Sequence, residues 1–228
     1  MIIFAHGLGA AHKYYIPLMN SLAERGYLVF GFDNTGVGES EGESQNGLEQ
    51  SILDLEAAIK FIKSRKEFSG LKISLVGHSL GGYAVATVLN EIEEISSVVI
   101  LSGFSRTYDL ERAELEGMAG TVGNLAETYL YLIENLKFGK YANYTGLDGL
   151  IKSKVSALIV ASEDDEVVKP EFGFKLYKDK LPETQAEFIL YQNRGHLPFY
   201  KNGLEGFING GAIDEELVDK IDGFIERN

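Results

Sequence analysis

Gly77-His78-Ser79-Leu80-Gly81 lies between an apolar run, Lys72–Val76, and a helix-like stretch, Tyr83–Leu89. A serine between glycines at a strand-to-helix turn is the pattern of a nucleophile elbow, which holds the hydroxyl above the sheet edge on a strained backbone. The glycines leave room for the turn, and Gly82 lets the following backbone come close to a substrate. The N–H of Leu80 then sits at a helix N-terminus, where developing negative charge is favoured. Taken alone, the same five residues also fit an ordinary glycine-rich turn. The rest of the chain decides between the two.

A serine hydroxyl needs a histidine to take its proton, and that histidine needs a carboxylate to fix its tautomer. The chain has four histidines. His78 adjoins the serine, in a turn that aims neighbouring side chains apart, and His6 and His12 lie near the first strand. His196, in Asn193-Arg194-Gly195-His196-Leu197-Pro198, alone fits the order serine, acid, histidine of elbow-type hydrolases. The acid is expected after the run Ala157–Ala161, where Ser162-Glu163-Asp164-Asp165-Glu166-Val167-Val168 carries four consecutive carboxylates. By itself such a cluster is a solvated loop or, less often, a metal site.

The elements that must position these residues alternate. Strand-like runs occur at Ile2–Ala5, Tyr27–Phe32, Lys72–Val76, Ser97–Leu101, Ala157–Ala161 and Ala186–Tyr191. Ile52, Leu55, Ile59 and Ile62 form one helical stripe. Leu217, Val218, Ile221, Phe224 and Ile225 form another, after an expected N-cap at Asp214, packing on its own sheet or on a neighbouring molecule. Alternation of this kind predicts an α/β fold, a mostly parallel sheet with helices on both faces. Functional residues then collect at the carboxyl ends of the strands, where each motif lies.

One segment breaks the rhythm. About fifty residues, 103 to 154, separate two strands, more than a crossover requires. Leu125, Tyr129, Leu132, Ile133 and Leu136 predict a helix with one apolar face, preceded by candidate hinges at Gly117, Gly120 and Gly123. The expectation is a helical cap insertion over approximately 103–154, with Tyr129, Leu132 and Leu136 as substrate-pocket candidates and Tyr131, Tyr141 and Tyr144 nearby. A covering helix whose stripe is only core is the alternative.

Composition narrows the function classes. The chain has 228 residues, 45% of them hydrophobic, enough for one domain with a full core. Lys and Arg number 21 against 34 Asp and Glu, a formal charge of −13, which disfavours nucleic acid and anionic lipid as partners. No apolar run has the length of a membrane span. Cysteine is absent, so disulfides and thiol chemistry are excluded. Met1 opens directly into a strand, which reads as a minimal form or as one whose upstream residues have been cut away. Cytoplasm is the default localisation, and a removed N-terminal signal is the alternative.

Together these motifs resemble the α/β-hydrolase family over nearly the whole chain. His6-Gly7-Leu8-Gly9 is similar to its HGxG oxyanion loop, and Asp33-Asn34-Thr35-Gly36-Val37-Gly38-Glu39-Ser40 to its D-x-x-G-x-G-x-S loop. Gly77–Gly81 matches the elbow, and Gly195-His196 the terminal G-H. Ala161–Val167 resembles the G-x-x-D-x-x-V acid turn, with alanine in place of glycine; that register selects Asp164 and leaves Asp165 as runner-up. Gly36 and Gly38 read as tight-turn residues and not as a phosphate cradle, because no lysine follows.

The resemblance implies an α/β-hydrolase fold in a single domain, 1–228, with catalytic Ser79, Asp164 and His196. The backbone N–H groups of Leu8 and Leu80 would form the oxyanion hole. No metal or organic cofactor is implied, and the partner is a small-molecule ester. The expected activity is a carboxylesterase or lipase-like hydrolysis of small to medium acyl or aryl esters through an acyl-enzyme. The same triad serves thioesterases, peptidases, acyltransferases and cofactor-free haloperoxidases, and some proteins of this fold are binding modules.

Overall fold

The computed structural model describes the backbone of residues 1–115 and 121–228 and the side chains of residues 1–112 and 128–228. Six strands, β1 (Ile2–Ala5), β2 (Val29–Gly31), β3 (Ser74–His78), β4 (Ser97–Leu101), β5 (Ser156–Ser162) and β6 (Ala186–Tyr191), form one sheet in the order β2-β1-β3-β4-β5-β6. Every pairing is parallel. A parallel sheet needs cover on both faces, and its central strands are accordingly apolar throughout, as in Ile2-Ile3-Phe4-Ala5 and Val98-Val99-Ile100-Leu101.

The covering helices are α1 (Ile16–Glu24), α2 (Gln50–Ser64), α3 (Leu80–Thr87), α4 (Thr107–Leu115), α5 (Thr121–Phe138), α6 (Gly146–Ser153), α7 (Phe174–Lys180), α8 (Gly203–Ile208) and α9 (Glu215–Arg227). Alternation of the strand side chains divides the core in two. One half sets Ile3, Leu75, Val98 and Ile159 against α2, α3, α6 and α7; Leu55, Ile59, Tyr83, Val85, Leu150 and Phe174 fill it. The other half sets Ile2, Phe4, Val76 and Val99 against Leu18 and Leu22 of α1 and Leu217, Val218, Ile221 and Phe224 of α9. The C-terminal helix therefore packs on its own sheet. Burying each such side chain is worth roughly 1.5–3 kcal/mol.

Asp214 precedes α9 as expected, but its side chain caps nothing. Its carboxylate instead pairs with Arg194 at 2.9 Å. Between them, Tyr200 and Ile213 form an antiparallel bridge that closes the base of the excursion carrying α8.

The 103–154 segment contains α4, α5 and α6. Gly117 and Gly120 lie outside the described residues, and Gly123 lies within α5. Tyr141 donates to Glu56 at 2.8 Å, and Tyr144 donates to Glu91, so both tyrosines tie the segment's end to the body of the fold.

Candidate active site

The strand order decides which loops meet. β1 and β3 are neighbours, so the His6–Ala10 loop and Ser79 emerge side by side; β5 and β6 are neighbours, so the acidic turn and His196 do the same. Ser79 has φ 55° and ψ −117°, a conformation that L-residues rarely adopt and that is held by the turn around it. Its N–H donates to the Leu101 carbonyl at 2.9 Å, fixing the turn to β4. The flanking glycines are dictated by space: a Cβ at Gly77 would lie 2.2 Å from the Gly81 carbonyl oxygen, and one at Gly81 would lie 2.0 Å from that of Ala5.

Ser79 Oγ lies 2.9 Å from His196 Nε2, and His196 Nδ1 lies 2.8 Å from Asp165 Oδ2. The carboxylate can only accept, so Nδ1 carries the proton and Nε2 is left to accept from the serine hydroxyl. Asp165 is buried, and its second oxygen accepts from the N–H groups of Val167 and Val168, both at 2.9 Å.

The acid is therefore a correction to the reading from sequence. The His196 ring bonds to Asp165 and not to Asp164. Its Oδ1 accepts from Ser162 Oγ at 2.5 Å, from Gly195 N–H at 2.9 Å and from Arg194 N–H at 3.2 Å, bracing the loop that carries the histidine. The Ser162 hydroxyl, and then the backbone N–H donors, hold the Asp164 carboxyl below its ordinary range. The register is one residue later than Ala161–Val167: β5 runs through Ser162, and the valine that turns inward is Val168, while Val167 is 63% exposed. A serine in the glycine place, giving S-x-x-D-x-x-V over Ser162–Val168, is the signal in the sequence for this register.

The His6–Ala10 loop is pressed against the serine. A Cβ on Gly7 would come within 3.3 Å of Ser79 Cβ and 2.9 Å of Tyr15 Oη. Buried His6 braces the loop, with Nδ1 bonded to the Gly7 carbonyl at 2.8 Å and Nε2 accepting from Asn34 N–H at 3.0 Å. Because Nε2 accepts from an N–H the ring is a neutral brace, and burial lowers its pKa in the same sense. Asp33 accepts from the His12 backbone and ring at 2.8 and 2.9 Å, and Gly36 and Gly38 take φ of +72° and +59° in tight turns. Leu8 follows Gly7 with its side chain exposed, and Leu80 opens α3.

A cavity of about 300 Å³ opens at Ser79 and His196. Much of its wall is apolar and aromatic, from Leu8, Tyr14, Leu197, Phe199, Tyr200 and Phe207. The pocket candidates Tyr129, Leu132 and Leu136 do not line it; all three are exposed, Leu136 to 85%. Their apolar stripe faces outward in part, and the wall comes instead from the first loop with Tyr14, from Leu197, Phe199 and Tyr200 after the histidine, and from Phe207 of α8. Sequence periodicity gave no sign of α8, whose Gly203-Leu204-Glu205-Gly206-Phe207-Ile208 is too short for a helical stripe.

Sheet topology, elbow and relay together describe an α/β hydrolase. A family model described as serine aminopeptidase, S33, matches residues 1–143, and the chain belongs to that family. An uncharacterized Escherichia coli protein, YfhR, is 26% identical over 224 residues, covering 96% of this chain and 69% of its own length. Human monoglyceride lipase is 29% identical over 204 residues, 84% of this chain and 63% of the relative. Among solved structures, an esterase from Pyrococcus furiosus superposes with a TM-score of 0.69 at 21% identity, covering 99% of this chain and 80% of that one. Among the described residues, no helix is long and apolar enough to cross a membrane.

Proposed function

We propose that this chain is a serine carboxylesterase or lipase-like acyl hydrolase acting on small to medium uncharged acyl or aryl esters. In this reading residues 1–228 form one domain, with 103–154 as its cap. The observation that carries it is the Asp165–His196–Ser79 relay opening into an apolar cavity. Ser79 Oγ attacks the ester carbonyl while His196 Nε2 takes its proton, and Asp165 holds the imidazole and stabilises its charged form. The N–H groups of Leu8 and Leu80 receive the oxyanion. His196 then returns its proton to the leaving alcohol. Water, activated by the same histidine, releases the acid from the acyl-enzyme.

The family's description raises peptide cleavage from an amino terminus as the second reading. An aminopeptidase must hold the substrate's ammonium group, and a carboxylate in the site is the usual means. Among the described residues lining the cavity there is no Asp or Glu, which favours an ester.

The test is labelling by a fluorophosphonate probe, followed by ester, thioester and amide substrates in parallel. Wild-type chain is expected to label and to turn over short- and medium-chain esters, and Ser79→Ala to lose both, by on the order of 10⁴–10⁶ in kcat. A folded wild-type chain that neither labels nor cleaves any ester sinks the reading.

A further inference from the structure

His78 is not part of the relay, yet it is buried beside it. Its ring lies among Tyr15, His196 and Phe199, with centroids 5.6, 4.7 and 5.1 Å away. Both of its nitrogens are bonded: Nε2 to the His196 carbonyl oxygen at 2.7 Å, and Nδ1 to Tyr15 Oη at 2.8 Å. Tyr15 Oη is also 3.1 Å from the backbone N of Gly7.

The proton positions follow by elimination. A carbonyl only accepts, so His78 Nε2 carries hydrogen. In a neutral ring Nδ1 then accepts, so the Tyr15 hydroxyl must donate to it, leaving the Tyr15 oxygen to accept from Gly7 N–H. Burial, and next the neighbouring His196, lower the His78 pKa to about 3, and burial raises that of Tyr15 to about 12. Both groups thus stay neutral across the range in which a histidine base works. The result is a directed chain, Gly7 N–H to Tyr15 O–H to His78, and His78 N–H to the His196 carbonyl.

Its two ends are the residues on which the proposed chemistry depends. Gly7 sets the direction of the following peptide, which carries the Leu8 N–H, and the His196 backbone sets where its ring meets Ser79. We infer that Tyr15 and His78 are positioning residues that hold the oxyanion loop and the histidine loop in one register around Ser79. The catalytic consequence rests on the hydrolase reading; the hydrogen-bond chain itself does not.

Tyr15→Phe keeps the ring in its aromatic cluster and removes only the hydroxyl. His78→Gln offers an amide N–H towards the His196 carbonyl and gives up the Tyr15 contact. Each variant is to be compared with wild type, and with the double variant, for fluorophosphonate labelling rate, kcat and KM on one ester, at a temperature where circular dichroism shows all four folded. The expected result for Tyr15→Phe is roughly a tenfold or greater fall in kcat and labelling rate, with KM within about twofold, as one lost hydrogen bond in a geometry-sensitive site should give. The double variant should be no slower than the slower single, because the residues act as a unit. A wild-type rate in Tyr15→Phe, or effects that multiply, would overturn the inference. If wild type itself fails to label, the hydrolase reading falls, and histidine-detected nitrogen NMR still judges the chain. His78 should then be neutral with its proton on Nε2, and Tyr15→Phe should shift its Nδ1 signal. A His78 that is charged at about pH 6, or protonated on Nδ1, overturns it regardless of activity.

Discussion

Two adjacent aspartates in the turn after β5 have separate tasks. Asp165 faces the imidazole from a buried position, and Asp164 grips the backbone before it from an exposed one. Asp165→Asn should hold the wrong tautomer of His196 and lower kcat by about 10⁴, with little change in folding. Asp164→Asn weakens acceptance from two backbone N–H groups but leaves the relay intact, so a loss on the order of tenfold is expected. Steady-state rates of the two variants on one ester decide the matter; equal losses would mean that the pair acts jointly. The sequence separates them only weakly, because both registers offer an aspartate followed three residues later by a valine and differ only in having Ala161 or Ser162 in the glycine place. Which valine turns inward depends on where β5 ends, and that depends on its pairing with β6 through Ser162 and Tyr191. Tyr15 was equally hidden, since its partner His78 is distant in the chain and no spacing rule joins them.

At the scale of elements, the central strands were legible as consecutive, largely apolar residues buried on both faces in Ile2–Ala5 and Ser97–Leu101, whereas the edge strand β6 is mostly half-buried. Ile2–Ala5, Ser97–Leu101 and Ala186–Tyr191 have the bounds their composition suggests. β2 is shorter than its apolar run, ending at the sheet edge with Val29–Gly31, whereas β3 continues through His78 because the elbow prolongs it. The wall of the cavity was not legible. The long apolar stripe of α5 suggested a pocket, while the residues that reach the site come from the first loop, from Leu197–Tyr200 and from Phe207 of α8, whose excursion is set by the Tyr200–Ile213 bridge and the Arg194–Asp214 pair. Phe207 packs edge-on to Tyr200, with centroids 5.7 Å apart, in the wall of the cavity. Phe207→Ala enlarges the cavity there. Within the esterase reading, it should shift the ratio of kcat/KM for medium over short acyl chains by roughly tenfold towards the longer chain. An unchanged ratio across a series of aryl esters would place the acyl group elsewhere, with 103–154 the next segment to examine.

For the molecule as a whole, the buried histidines couple folding to acidity. In the folded chain His78 has a pKa of about 3, lowered first by burial and then by His196, while in the unfolded chain it returns to about 6.5. Between those values the unfolded state binds a proton that the folded state refuses, so stability falls as pH falls. The loss is absent above about pH 6.5 and accumulates below it at up to ~1.4 kcal/mol per pH unit for one such group, a limit that relaxation of the site will reduce. His6, also lowered by burial, adds in the same direction. Buried Glu49 works the other way, because burial raises its carboxyl and acid favours the folded form through it. The groups closest to His78 are the Tyr15 hydroxyl and His196, itself paired with Asp165. Urea unfolding of wild type and His78→Gln from pH 7 to pH 4 isolates the histidine from the opposing carboxylates, since only its contribution is removed. The variant should be the less stable at pH 7, having lost the Tyr15 contact, and its stability should decline more gently with acid, so that the two curves converge. Parallel curves would mean that His78 is protonated in the folded chain, and the directed hydrogen bond to His196 could not then depend on its neutral form.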